Sequence, residues 1–135
     1  MKHIKVLFVC SGNAYRSPLA EALLKKLRPD LDVDSAGLHV AIPVSVQVRD
    51  YLAKQDAAQY LKKAPQSIDE KKLGCYDLIV AMEQVHTKAV LRVCPECENR
   101  IIEWNIADPY FVTDDETGRI YVQIANKVEE LANSL

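Results

Sequence analysis

Residues 4–18 read IKVLFVCSGNAYRSP, and their reading decides the fold. The first six positions, Lys5 apart, form an apolar run rich in branched side chains. It lacks the polar alternation of a half-exposed strand, so it suits a strand buried on both faces. The run stops at Cys10, a five-residue loop follows, and Arg16-Ser17-Pro18 opens a helix. Ser17 is expected to cap that helix and Pro18 to sit in its first turn. Leu19, Leu23 and Leu27, flanked by Ala20 and Leu24, supply an apolar stripe that ends near Pro29.

Working outward, the chain repeats this alternation. LDVDSAG (31–37) reads as a short second strand closing at Gly37, and VSVQVRDYLAK (44–54) as a helix, with a weaker helical stretch over 56–63. YDLIVAM (76–82) is the next buried strand, EQVHTKAVLRV (83–93) its helix and RIIEW (100–104) a fourth strand. A polar loop over 105–118 precedes a closing helix over 119–135, with Ile120, Ile124, Val128 and Leu131 on one stripe. Strand and helix in alternation predict a parallel sheet between helical layers, in an α/β fold. Ligands of such sheets bind beyond the carboxyl ends of the strands, where strand order reverses. Cys10 lies at that end of the first strand, and the 105–111 loop follows the last strand at the same edge.

The whole length, 1–135, suits one domain with its own core. With 17 basic and 19 acidic residues the net charge is −2. That balance argues against nucleic acid or an anionic membrane as partner. No apolar stretch reaches the ~18 residues of a membrane span, and the run after MKHIK is too short for a signal-peptide core. A cytoplasmic location is therefore expected, and with it four cysteines (Cys10, Cys75, Cys94, Cys97) kept as thiols rather than as a disulfide framework. The three histidines, His3, His39 and His86, show no metal-ligand spacing, and neither metal nor cofactor is expected.

A loop of five residues opening onto a helix N-terminus can turn its N–H groups inward as a nest for an oxyanion. Gly12 permits a positive φ or a close approach, and Asn13 is the next most tolerant residue. The Arg16 guanidinium presents a planar fork that grips two phosphoryl oxygens at once. In the same field a cysteine becomes a reactive thiolate. Ser17 can donate to that thiolate as well as cap the helix. The combination reads as a nucleophile inside a phosphate cradle formed by Ser11, Gly12, Asn13, Ala14, Tyr15, Arg16 and Ser17.

VCSGNAYRSPLAEALL (9–24) resembles the N-terminal signature of the low-molecular-weight protein tyrosine phosphatases: a cysteine, five residues, Arg, Ser and Pro, with Gly-Asn inside the loop. The similarity continues at VDSAG (33–37), YDLIVAM (76–82) and ADPY (107–110), in the right order over most of the chain. The resemblance implies a three-layer sandwich with a four-stranded parallel sheet in order 2-1-3-4. It also implies phosphomonoester hydrolysis, most fittingly of phosphotyrosine, through a cysteinyl-phosphate. Cys10, Arg16 and Asp108 would be catalytic, with Asp108 of the Asp-Pro-aromatic loop as general acid. Tyr110, Phe111 and His39 would wall the substrate pocket, and Asn13 and Ser35 would brace the loop, a solvated or capping Ser35 being the alternative. A monomer acting on a phosphotyrosine protein or a small phosphomonoester is expected.

The match departs from the family in places. Tyr15 stands where the family often has a second cysteine, which removes a neighbouring disulfide partner for Cys10 and leaves only the remote Cys75. CPEC (94–97) keeps a rival reading open. In it Cys10 and the Cys94/Cys97 pair would serve a thioredoxin-coupled arsenate reductase, whereas the plainer view is a tight structural turn, with a disulfide in a thermophile. A cysteine phosphocarrier is a third class, disfavoured by Arg16 and Asp108. Ala14 is small for its position, which leaves phosphotyrosine, phosphoarginine and small phosphoesters open. Pro65 replaces part of an Arg-Gln pair, so a supporting contact is expected to be lost.

Overall fold

Lys5–Cys10 forms strand β1, the middle of a four-stranded, all-parallel sheet. In a computed structural model that describes residues 3–135, the side chain of Phe111 aside, β1 pairs with β2 (Asp32–Gly37) on one edge and β3 (Leu78–Ala81) on the other. Strand β4 (Ile101–Glu103) adds to β3, giving the order β2-β1-β3-β4 that the resemblance implied. Residues 6–10 are all buried, as an apolar run without alternation requires. Val6, Phe8 and Cys10 face one helical layer and Leu7 and Val9 the other, because successive side chains of a strand alternate.

The first layer holds helices α1 (Arg16–Leu27), α2 (Val46–Lys54) and α4 (Asp114–Ser134). It packs Leu19, Leu23, Leu24, Ile124 and Val128 against Phe8 and Trp104. The second layer is α3 (Gln84–Val93) with short 3₁₀ turns, seating Val90, Leu73 and Ile68 on Leu7, Val9 and Ile79. Burying a side chain such as Phe8 or Ile79 stabilises the fold by about 1.5–3 kcal/mol, so the β1 core is held from both sides.

Several local expectations need correction. Helix α1 starts at Arg16, with Tyr15 at the cap position and no capping side chain. Ser17 lies inside the helix, with its hydroxyl 2.9 Å from Cys10 Sγ. Leu27 is exposed, since the stripe that meets the sheet passes through Leu19, Ala20, Leu23 and Leu24. Of the helical stretch over 56–63, only a 3₁₀ turn at Ala58–Tyr60 forms. Helix α4 starts at Asp114, well before residue 119. There Thr113 Oγ1 accepts from Glu116 N at 3.2 Å, and three acidic residues fill the first turn. Cap and charge each contribute about 0.5–1 kcal/mol, enough to offset Gly118 within the helix. Finally, Cys94 and Cys97 form a disulfide, contrary to the expectation of four thiols, while Cys10 and Cys75 are free.

Candidate active site

β1 delivers Cys10 to the carboxyl edge of the sheet, where β2 departs to one side and β3 to the other. The loop after it is shaped by where its carbonyls go. Ser11 O accepts from Leu38 N (2.7 Å) and His39 N (2.9 Å), and Ala14 O accepts from Ser45 N (2.9 Å). These donors pull carbonyl oxygens away from the loop centre, the arrangement in which its N–H groups are free to turn inward. The left-handed residue is Asn13 (φ 53°), whereas Gly12 has a negative φ and room for a Cβ. Close approach is instead met from outside, at Gly37. A Cβ there would lie 2.7 Å from Asn13 N and 2.8 Å from Gly12 C.

Behind the loop runs a buried polar chain. Asn13 Nδ2 donates to Ser17 Oγ (2.8 Å) and to Ser35 Oγ (2.9 Å), and Asn13 Oδ1 accepts from Gln66 N (2.9 Å). Ser17 Oγ lies 2.9 Å from Cys10 Sγ. Since the amide nitrogen of Asn13 can only donate, the Ser17 hydroxyl proton is left for the sulfur, the nearer acceptor, or for Ala36 O at 3.5 Å. Ser35 Oγ also receives Lys62 Nζ (3.2 Å), and its own proton goes to Glu21 Oε1 at 2.5 Å. Glu21, almost fully buried, is held by Lys25 (2.6 Å). Burial, the largest influence, pulls the Lys62 ammonium below the usual lysine range, with Glu21 and Asp34 acting in the opposite sense. Asn13 and Ser35 are thus hydrogen-bonded to each other behind the loop. Beside Pro65, Lys62 and the Gln66 backbone both contact this chain of side chains.

Arg16 is the largest fully buried side chain, so its five donors need partners. Nη1 donates to Glu83 Oε1 and to Ile106 O (2.7 Å). Nη2 reaches Ser11 Oγ at 3.4 Å and stands 3.7 Å from Asp108 Oδ2. The other Asp108 oxygen accepts from Tyr110 N at 3.0 Å, which fixes the carboxylate over its own turn. Ile106 and Asp108 reach this place because the backbone beyond β4 stays bonded to the end of β3, through Trp104 N to Ala81 O and Ile106 N to Met82 O.

A cavity of about 220 Å³ opens between these pieces. Cys10, Ser11, Gly12, Ala14, Tyr15 and Arg16 line its floor; His39, Ala41, Ile42, Asp108 and Tyr110 line its walls. Tyr15 and Tyr110 meet edge to face, with ring centroids 6.1 Å apart. Phe111, expected beside Tyr110, has a side chain outside the described residues. Asn13, Ser17 and Ser35 are fully buried behind the floor rather than on it. Among the described residues no group of His, Cys, Asp or Glu is arranged to hold a metal ion.

Sequence reasoning missed four residues here: Glu83 on Arg16, His86 on Ser11, and Glu21 with Lys62 on Ser35. Glu83 and His86 do follow the carboxyl end of β3, which was the available signal. For Glu21 and Lys62 there was none. The Cys94–Cys97 disulfide sits at the far end of α3, whose first turn carries Glu83 and His86 to the site. Helix α3 runs back along the sheet, so the pair lies at the edge opposite Cys10. Cys75, just before β3, lies at that remote edge too.

A family model described as low molecular weight phosphotyrosine protein phosphatase matches residues 5–135. The chain is 31% identical to the low molecular weight protein-tyrosine-phosphatase Etp of Escherichia coli (strain K12), covering all of this chain and 97% of that one. It is 30% identical to Wzb of Salmonella typhi, covering 97% and 93%. Among solved structures it is similar to Vibrio vulnificus Wzb in complex with benzylphosphonate, with a TM-score of 0.88, 26% identity and coverage of 99% and 100%.

Proposed function

Since this chain belongs to the low molecular weight phosphotyrosine protein phosphatase family, we propose that it hydrolyses aryl phosphate monoesters, phosphotyrosine foremost, through a cysteinyl-phosphate on Cys10, with residues 1–135 acting as one catalytic domain. The observation that carries this reading is a single cavity holding Cys10 Sγ, Arg16 and Asp108 around one loop. Arg16 and the loop amides take the equatorial phosphoryl oxygens, whose charge spreads in the transition state. The Cys10 thiolate, accepting a hydrogen bond from the Ser17 hydroxyl, attacks phosphorus in line. The phosphorus–oxygen bond to the leaving group breaks, and Asp108 gives its proton to the departing phenol oxygen. Asp108 then takes a proton from water, which attacks the cysteinyl-phosphate; the S–P bond breaks and phosphate leaves.

Specificity follows from the walls. Tyr15 and Tyr110 offer edge and face to a flat ring, Ala41 and Ile42 add apolar lining, and Ala14 is small for its place in the loop. The relative from Vibrio vulnificus holds benzylphosphonate, an aromatic phosphonate, in keeping with a ring in such a slot. The Cys94–Cys97 pair follows the end of α3 remote from Cys10, which speaks against an electron relay between them. The deciding assay is turnover of para-nitrophenyl phosphate in the presence of a chelator. Turnover is expected, and its absence in the wild type sinks the proposal. Cys10→Ser should abolish it. Asp108→Asn should cost about 10²–10⁴-fold with poor leaving groups and far less with good ones; equal losses would remove Asp108 from the acid role.

A further inference from the structure

Ser11 follows the nucleophile, and its side chain has two nitrogen neighbours: His86 Nε2 at 2.9 Å and Arg16 Nη2 at 3.4 Å. The direction of the first bond is set by the other ring nitrogen. Glu83 N–H can only donate, and it reaches His86 Nδ1 at 2.9 Å, so Nδ1 is the acceptor. A neutral imidazole with a bare Nδ1 carries its proton on Nε2. His86 therefore donates to Ser11 Oγ, and the guanidinium, which has no acceptor, donates as well. With both lone pairs directed at N–H groups, the Ser11 proton is left for a further acceptor, and Ser11 is one of the residues that line the cavity.

His86 is rigid in this role. It is fully buried in the first turn of α3, where it completes the helix cap with Glu83. Burial first, and the Arg16 charge second, push its pKa down to about 4, against the opposing pull of Glu83, Asp108 and Glu103. The ring thus stays neutral, with the same tautomer, over the neutral range.

We propose that Ser11 is a further catalytic residue, a side-chain hydroxyl that donates to a phosphoryl oxygen bound above Cys10, and that His86 is the positioning residue that aims it. This adds a directional donor to the loop amides, strengthened because the oxygen that gives the proton itself accepts from two N–H groups. It rests on the phosphatase reading. The bland alternative is that the Ser11–His86 bond is only a strut for the loop.

The test uses inorganic phosphate as the probe, titrated by calorimetry into the whole protein, together with para-nitrophenyl phosphate turnover. Ser11→Ala should weaken phosphate binding about tenfold and lower kcat/KM about 10²-fold, the order lost with one oxyanion donor. Ser11→Thr, which keeps the hydroxyl, should stay within about threefold of wild type. In the Ser11→Ala background, His86→Ala should cost nothing more in phosphate affinity. Phosphate affinity within twofold of wild type for Ser11→Ala overturns the proposal. So does equal loss for Ala and Thr, which marks a strut, or multiplying losses in the double variant. Should His86→Ala fail to fold, the Ala–Thr comparison decides alone. A wild type that binds phosphate without turning over the ester fails the phosphatase reading, while the titrations still judge the hydroxyl.

Discussion

Replacing Gly37 with alanine should disable the site from outside it. Gly37 ends β2 opposite Cys10, and its missing side chain lets the phosphate loop lie against the strand. An added Cβ would meet three backbone atoms: Asn13 N at 2.7 Å, Gly12 C at 2.8 Å and Ser11 O at 2.9 Å. Ordinary contact begins at 3.4 Å, so the closest pair falls short by 3.4 − 2.7, or 0.7 Å. None of the three belongs to a flexible side chain, so the loop itself has to move. Overpacking of this kind costs about 1–3 kcal/mol of stability. A displacement of some 0.5–0.7 Å at the reacting centre should lower kcat/KM by roughly 10–100-fold, on the scale where 1 Å costs about 10²-fold. Gly12→Ala is the control within the loop. Its φ is not positive, and its Cβ would meet only His39 O at 3.7 Å. Its stability should match wild type or rise by about 0.4–1 kcal/mol, since alanine restricts the unfolded chain. Urea melts and para-nitrophenyl phosphate kinetics measure both variants. Wild-type stability and turnover for Gly37→Ala, or a Gly12→Ala less stable than Gly37→Ala, would refute the steric argument.

Acid should unfold the protein partly through His86. Its folded pKa of about 4 lies below the ordinary 6.5, so the unfolded state binds the proton first. Stability then falls as pH drops from about 6.5 to 4, by about 2–3 kcal/mol, and His86→Gln should flatten that part of a urea-melt profile; an unchanged slope contradicts the assignment. Glu83→Gln should lower kcat/KM about tenfold and weaken phosphate inhibition, because Arg16 Nη1 keeps Ile106 O but loses the Glu83 carboxylate; unaltered kinetics would show that Ile106 O, Ser11 and Asp108 orient the guanidinium without it. Cys94→Ser with Cys97→Ser opens a bridge between residues only three apart, which should cost about 2 kcal/mol in a thermal or urea melt and leave turnover intact. Loss of turnover in that still-folded variant would restore a chemical role to the pair.

How much was legible in the sequence can be judged residue by residue. β1 was legible because a strand covered on both faces needs an unbroken apolar run, and Val6–Cys10 is one. Cys10, Arg16 and Ser17 were legible as one cluster because the loop and the helix after it are contiguous in the chain, so spacing alone brings them together. Asp108 was reached only through family resemblance, its own signal being an Asp-Pro turn. The mistaken start of α4 shows the limit of periodicity: polar first-turn residues look like loop, yet Thr113 and three acids fit a helix N-terminus.

By itself the sequence determined the strand–helix alternation, the cysteine with the loop after it, and the edge of the sheet to which both belong, since these depend on neighbours along the chain. Tertiary structure alone decided which distant groups finish the site. Glu83 and His86 are 67 and 75 residues from the loop side chains they contact, and Glu21 and Lys62 meet at Ser35. No local pattern marks such residues, because a buried guanidinium or hydroxyl accepts any partner that the packing brings within hydrogen-bond reach. The same holds for Gly37, whose need for a bare Cα appears only when the loop is laid against it.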